Sequence, residues 1–193
     1  IAAVVYDNAM VALGSFIGDG PLLEALSFPR FLGHALLTPI WIVTAVAFAV
    51  RSGAFEGRTR TAIRASWVFY ALMVAIGLVN SVLLFSYELV LQGDLVYYTN
   101  GGGIPGPPLP SILMTFTVIA CGVLVLRRTR WPWMLAGALF MLAAAAVPPE
   151  VVGFVVSNSG EVVMAASLVA TEAFLQRRET AGAGRPPVAA TSG

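Results

Sequence analysis

The sequence predicts an all-α, polytopic membrane protein: a bundle of six transmembrane helices with a short interfacial helix after the first span. Three observations predict it. Hydrophobic residues make up 58% of the chain and charged residues only 11%. Mean hydropathy is +0.85, far from the balance of a water-soluble domain, which could not hide so much apolar surface at this length. The apolar residues fall into long runs, and the arginines gather at the borders of those runs.

Residues 1–17 (IAAVVYDNAMVALGSFI) form the first span, interrupted by Tyr6, Asp7 and Asn8. The run is already apolar at Ile1, so the helix is expected to continue upstream. A secretory signal is not expected, because no basic region precedes the run and Asp7 sits inside it. Residues 18–30 (GDGPLLEALSFPR) read as a turn, a short amphipathic helix from Pro21 to Leu26, and a break at Pro29. That helix is too short to span and is placed at the interface. The second span covers 31–50 and carries His34, Thr38 and Pro39, the last a candidate kink.

Residues 51–64 make a polar connection. The third span, 62–91, is long enough to tilt or protrude and carries Asn80, Ser81, Tyr87 and Glu88 toward its outer end. Glycines and prolines in 92–110 oppose a regular element there. Within it, Gly101–Gly103 is not a phosphate loop, since no lysine or helix start follows; it reads as a flexible connector or, as long loops often have a role, a lid over a pocket. Span four, 111–126, is almost purely apolar, and RRTRWPW after it is a basic and aromatic membrane border. Span five, 134–147, is short and alanine-rich, which suits close packing. Pro148, Pro149 and Glu150 turn the chain into span six, 151–175. One six-helix domain therefore covers 1–176, and 177–193 reads as a disordered cytoplasmic tail.

Charge placement orients the bundle. Arg51, Arg58, Arg60, Arg64, Arg127, Arg128, Arg130, Arg177, Arg178 and Arg185 flank the inner ends of spans; only Arg30 lies on the other side. The positive-inside rule then predicts a multi-pass protein of the cell membrane with both termini in the cytoplasm.

Composition also excludes several classes. Every basic residue is arginine, so no lysine is present to form a retinal Schiff base. The single Cys121 rules out an intrachain disulfide and a multi-cysteine metal site. The single His34 rules out a haem held by two histidines of this chain. No cofactor is expected. Nucleic acid is not an expected partner, because the arginines line a membrane border without a groove-like cluster. The expected partners are membrane lipids and a hydrophobic small-molecule substrate, with a homo-oligomer left open.

The functional signal is polar and intramembrane. Glu161 and Asn158 lie in the middle of span six, where a carboxylate costs several kcal/mol unless a partner, a cavity or protonation relieves it. Counted from the outer ends, Asp7, Asn8, His34, Asn80, Asn158 and Glu161 all fall in the outer half of the bundle, contributed by four spans. Asn158 and Glu161 share a helix face, as do His34, Thr38 and Trp41, and Asn80, Tyr87 and Glu88. An outward-facing pocket with a polar floor and aromatic walls follows, sealed below by spans four and five.

Two carboxyls in a low-dielectric site can act as proton donor and acceptor. The expected function is therefore a small membrane enzyme acting on a lipid or isoprenoid by isomerisation, cyclisation or hydration. Asp7 and Glu161 would form the acid–base pair, with His34 a relay or orienting group. Asn8, Thr38, Asn80, Tyr87 and Asn158 would bind the substrate. Asp7, His34 and Glu161 could also ligate a metal, but no HExxH-like spacing occurs and no metal is expected. The alternative is a proton- or cation-coupled transporter or channel using the same carboxylates. Asparagines of this kind also serve simply as interhelical glue.

Overall fold

Seven stretches with helix-compatible apolar spacing become α-helices in the computed structural model, which describes residues 2–105, 108–147 and 154–183. They are α1 (Ala2–Ile17), α2 (Pro21–Leu37), α3 (Ile40–Arg51), α4 (Thr59–Leu78), α5 (Leu109–Thr129), α6 (Trp133–Ala146) and α7 (Phe154–Ala183). A π-helical turn, Val79–Leu83, continues α4. Two strands follow it, β1 (Tyr87–Gln92) and β2 (Leu95–Asn100). The expected Pro148–Glu150 turn lies outside the described residues.

The all-helical expectation holds in its coarse form, since 77% of the described residues are helical. By length and composition, three helical runs are apolar enough to cross a membrane: Pro21–Arg51, Thr59–Leu83 and Leu109–Thr129. Helices α1 and α6 are apolar but shorter. The middle run of the three is only 11% buried, so its apolar side chains, Val68, Leu72 and Leu83 among them, face outward.

Four local expectations are corrected. The short interfacial helix 21–26 is the first part of α2, which runs through Pro29 without breaking. Proline fixes φ near the helical value and removes a single N–H, so a supported helix passes through it. The real interruption is Thr38–Pro39, where α2 hands over to α3. The third span does not continue to 91. It stops at Leu83, and Tyr87–Asn100 forms an antiparallel hairpin with Tyr87 opposite Asn100 and Gln92 opposite Leu95. Gly93 has φ +59°, the positive value that a two-residue type II′ loop needs at its first position. Val96, Tyr97, Tyr98 and Thr99 favour an extended β2, and Tyr87 and Val90 do the same in β1. The tail is also shorter than expected, because α7 continues through 177–183, where Arg51, which also bonds Glu172, bonds Glu179. Residues 184–193 lie outside the described ones.

Helix α3 is the centre of the core. It packs against α4, α5 and α7, and α6 closes the other side of α5 and α7. Trp41, Ile42, Ala45, Phe48 and Ala49 of α3 meet Met114, Val118 and Cys121 of α5 and Met164 and Leu168 of α7. Helix α1 adds Val4 to this group and packs against α2, β2 and α7. Gly14 lets the hairpin approach, since a Cβ there would overlap the carbonyl of Val96. Ser15 donates to the carbonyl of Asp94 at the same place. The hairpin thus covers one end of the α1–α2 pair.

Candidate functional site

Helices α1, α2 and α7 bring three titratable side chains together. Asp7 comes from the second turn of α1, His34 from the last turn of α2, and Glu161 from α7. Asp7 Oδ2 lies 3.4 Å from His34 Nε2. Glu161 Oε1 lies 3.9 Å from His34 Nδ1, which is also 3.2 Å from the Thr38 hydroxyl. One imidazole therefore has a carboxylate toward each ring nitrogen. Glu161 Oε2 is buried and has no hydrogen-bond partner.

Arg30 completes the cluster, and sequence reasoning missed it. Its Nε donates to Asp7 Oδ1 at 2.6 Å, and its Nη1 donates to the carbonyl of Tyr98 in β2 at 3.2 Å. Arg30 is 9% exposed and Asp7 6%. A buried ion pair of this kind is tolerated only because hydrogen bonds satisfy both partners. A signal was present: Arg30 stands apart in the sequence from every other arginine, in an otherwise apolar stretch. A lone charge there, in a chain that also holds Asp7 in an apolar run, asks for a partner.

The asparagines fall into two sets. Asn158 donates to Asn8 Oδ1 at 2.6 Å, and Asn8 donates to the carbonyl of Val4 at 2.8 Å. This amide pair joins α1 to α7 beside Asp7 and Glu161. Asn80 sits instead in the π turn, where the widened backbone turns it toward the glycine-rich loop. Its Oδ1 accepts from the Ile104 N–H at 2.7 Å, and its carbonyl accepts from Asn100 at 2.9 Å.

A cavity of about 490 Å³ opens next to the cluster, with His34, Asn80, Ser81, Asn100 and Ser111 among its polar lining. Ala35, Pro39, Ile76 and Leu109 line its apolar side. No aromatic residue lines it among the described residues, contrary to the expected aromatic walls. Gly102 lines it too, and Gly101 and Gly103 are tied by their N–H groups to the carbonyls of Ser86 and Leu84. The glycine run is therefore a hydrogen-bonded wall of the cavity. A second cavity of about 320 Å³ is lined by Asn8 and Asn158, the amide pair between α1 and α7.

The structure thus unites Asp7, Asn8, His34, Thr38, Asn158 and Glu161, and places Asn80 on the same cavity as His34. Tyr87 is elsewhere. It sits on β1, against the rings of Phe85 and Tyr98, and not in the cavity lining. The helical stripe expected of Asn80, Tyr87 and Glu88 dissolves because the chain changes from helix to strand between them.

Ligand atoms of Asp7, His34 and Glu161 lie within 4.8 Å of one another, close enough to surround a cation. The two carboxylates lie toward opposite nitrogens of the ring, and Arg30 pairs with Asp7.

The described residues thus form a mostly helical protein with span-length apolar helices and a half-buried cluster of titratable groups beside a cavity. No protein family, no curated protein and no solved structure matches the chain.

Proposed function

We propose that this chain is a small integral membrane enzyme moving protons on a lipid- or isoprenoid-like substrate. In this reading His34 is the proton-transferring group at the cavity, and Asp7 and Glu161 are its acid–base partners. The observation that carries it is a single imidazole bracketed by two carboxylates while also lining a 490 Å³ cavity. Isomerising a carbon–carbon double bond needs a proton delivered to one carbon and another withdrawn from a second, with no net consumption. A histidine with a carboxylate at each nitrogen can do both in turn. Cyclisation or hydration of an olefin would use the same proton delivery.

Outward-facing apolar side chains on α4 support a lipid-facing surface. Together with the arginine borders they support a multi-pass protein of the cell membrane, both termini cytoplasmic, with α1, α6 and α7 completing six spans.

The test compares membranes carrying the native chain, Asp7→Asn, His34→Gln or Glu161→Gln at matched levels of folded protein. Lipids and isoprenoids are profiled by mass spectrometry. The reading expects a species that changes with the native chain and reverts in all three variants.

One observation favours a second reading, proton- or cation-coupled transport. Two cavities lie on the helices that carry the cluster, one lined by His34 and one by Asn8 and Asn158. Identical lipid profiles in all four samples, with a proton flux in liposomes that Glu161→Gln abolishes, would establish transport in place of catalysis.

A further inference from the structure

The larger cavity carries a statement about its ligand. Among its described lining residues there is neither arginine nor carboxylate, and His34 is the only titratable group. Arg30, on the same helix as His34, does not line it and is occupied by Asp7 and the Tyr98 carbonyl. Asp7 and Glu161 do not line it either. An ion entering this space would leave water without meeting an opposite charge, which costs several kcal/mol.

The polar atoms that remain uncommitted are neutral. Asn100 is engaged at both ends of its amide: its Oδ1 accepts from the N–H groups of Ser86 and Gly102, and its Nδ2 donates to the carbonyl of Asn80. Asn80 uses Oδ1 on Ile104, which leaves its Nδ2 without a partner among the described residues. The Ser81 and Ser111 side-chain hydroxyls likewise make no hydrogen bond among the described residues. These groups suit a hydroxyl or carbonyl oxygen. The rest of the lining is aliphatic or proline, without a ring to hold a cation. Ile104 and Leu109 stand half exposed at this cavity, so its rim is apolar. The volume falls within the roughly 300–1,000 Å³ of small-molecule sites.

We infer that this cavity binds an uncharged amphiphile, an apolar skeleton ending in a hydroxyl or carbonyl oxygen, and excludes phosphate-bearing and other ionic lipids. The inference rests on the acid–base reading only in taking this cavity as the substrate site.

The experiment uses a matched pair of diazirine-bearing probes, a long-chain isoprenol and its monophosphate, with the full chain in nanodiscs of neutral lipid. Cross-linked peptides are mapped by mass spectrometry. The isoprenol is expected to label the peptides containing His34 or Asn80 about tenfold or more over the monophosphate, as a missing counter-charge requires. Ile76→Trp, which fills the cavity, is expected to abolish that labelling. Ser111→Arg, with Ser81→Arg as a second placement of the same charge, is expected to turn the preference toward the monophosphate. Thermal unfolding selects the variants that remain folded. Equal or stronger labelling by the monophosphate in the native chain, labelling that survives Ile76→Trp, or no labelling of these peptides by either probe would overturn the inference. Isoprenol labelling with no lipid product dependent on His34 would instead sink the acid–base reading and leave the ligand class standing.

Discussion

Removing either partner of the Arg30–Asp7 pair leaves the other charged where water does not reach it. Arg30→Leu or Asp7→Asn alone is expected to destabilise by about 3–5 kcal/mol, and the double variant by clearly less than their sum. Thermal unfolding in detergent, run as a double-mutant cycle, measures this. Additive losses would mean that the two side chains do not support each other. At the hairpin, the Tyr98 hydroxyl donates to the Asp19 carboxylate, which pushes the phenol up to about 12 from its ordinary 10.0. A raised folded-state value means that the stabilisation is fully present below pH 10 and is lost as pH rises through about 12. Asp19→Asn is expected to return the phenol toward its ordinary value. Ultraviolet titration of phenolate, with Tyr98→Phe to assign the signal, checks it.

Elements answer to subtler signals than residues do. The hairpin was legible in principle: LVLQ and LVYY flank Gly93–Asp94, two runs separated by a two-residue glycine turn. It was obscured because the apolar run before it continues from α4 without a charged residue until Glu88, so helix periodicity could be extended across the boundary. The π turn had no comparable local signal. It places Asn80 against Ile104, and its reason lies in that tertiary hydrogen bond. Docking of the hairpin depends on Gly14, because any side chain there meets the Val96 carbonyl. Gly14→Val is expected to loosen 87–100, raising amide hydrogen exchange there about tenfold or more while α3 and α5 stay protected. Unchanged exchange would mean that the hairpin holds its position without that contact.

At the scale of the whole molecule, the apolar content and its exposure point to the same environment. Helix α4 presents an apolar surface that water would not tolerate over such a length. With Cys121→Ala as background, a cysteine at Asp94 is expected to react with a membrane-impermeant maleimide on intact cells. A cysteine at Glu56 is expected to react only after permeabilisation. Reaction of both from outside would refute the proposed orientation.

Composition and periodicity by themselves determined a mostly helical chain with span-length apolar helices, because burial of backbone polar groups and apolar side chains depends on totals and on local spacing. They also singled out Asp7, His34, Asn158 and Glu161, since polar groups inside apolar runs stand out without knowledge of their neighbours. Which nitrogen of His34 faces which carboxylate, that Arg30 neutralises Asp7, and that Tyr87 leaves the site were decided only by tertiary structure. The physical reason is reach. Those facts depend on side chains as distant in sequence as His34 and Glu161 meeting between helices, and no local pattern encodes such a meeting.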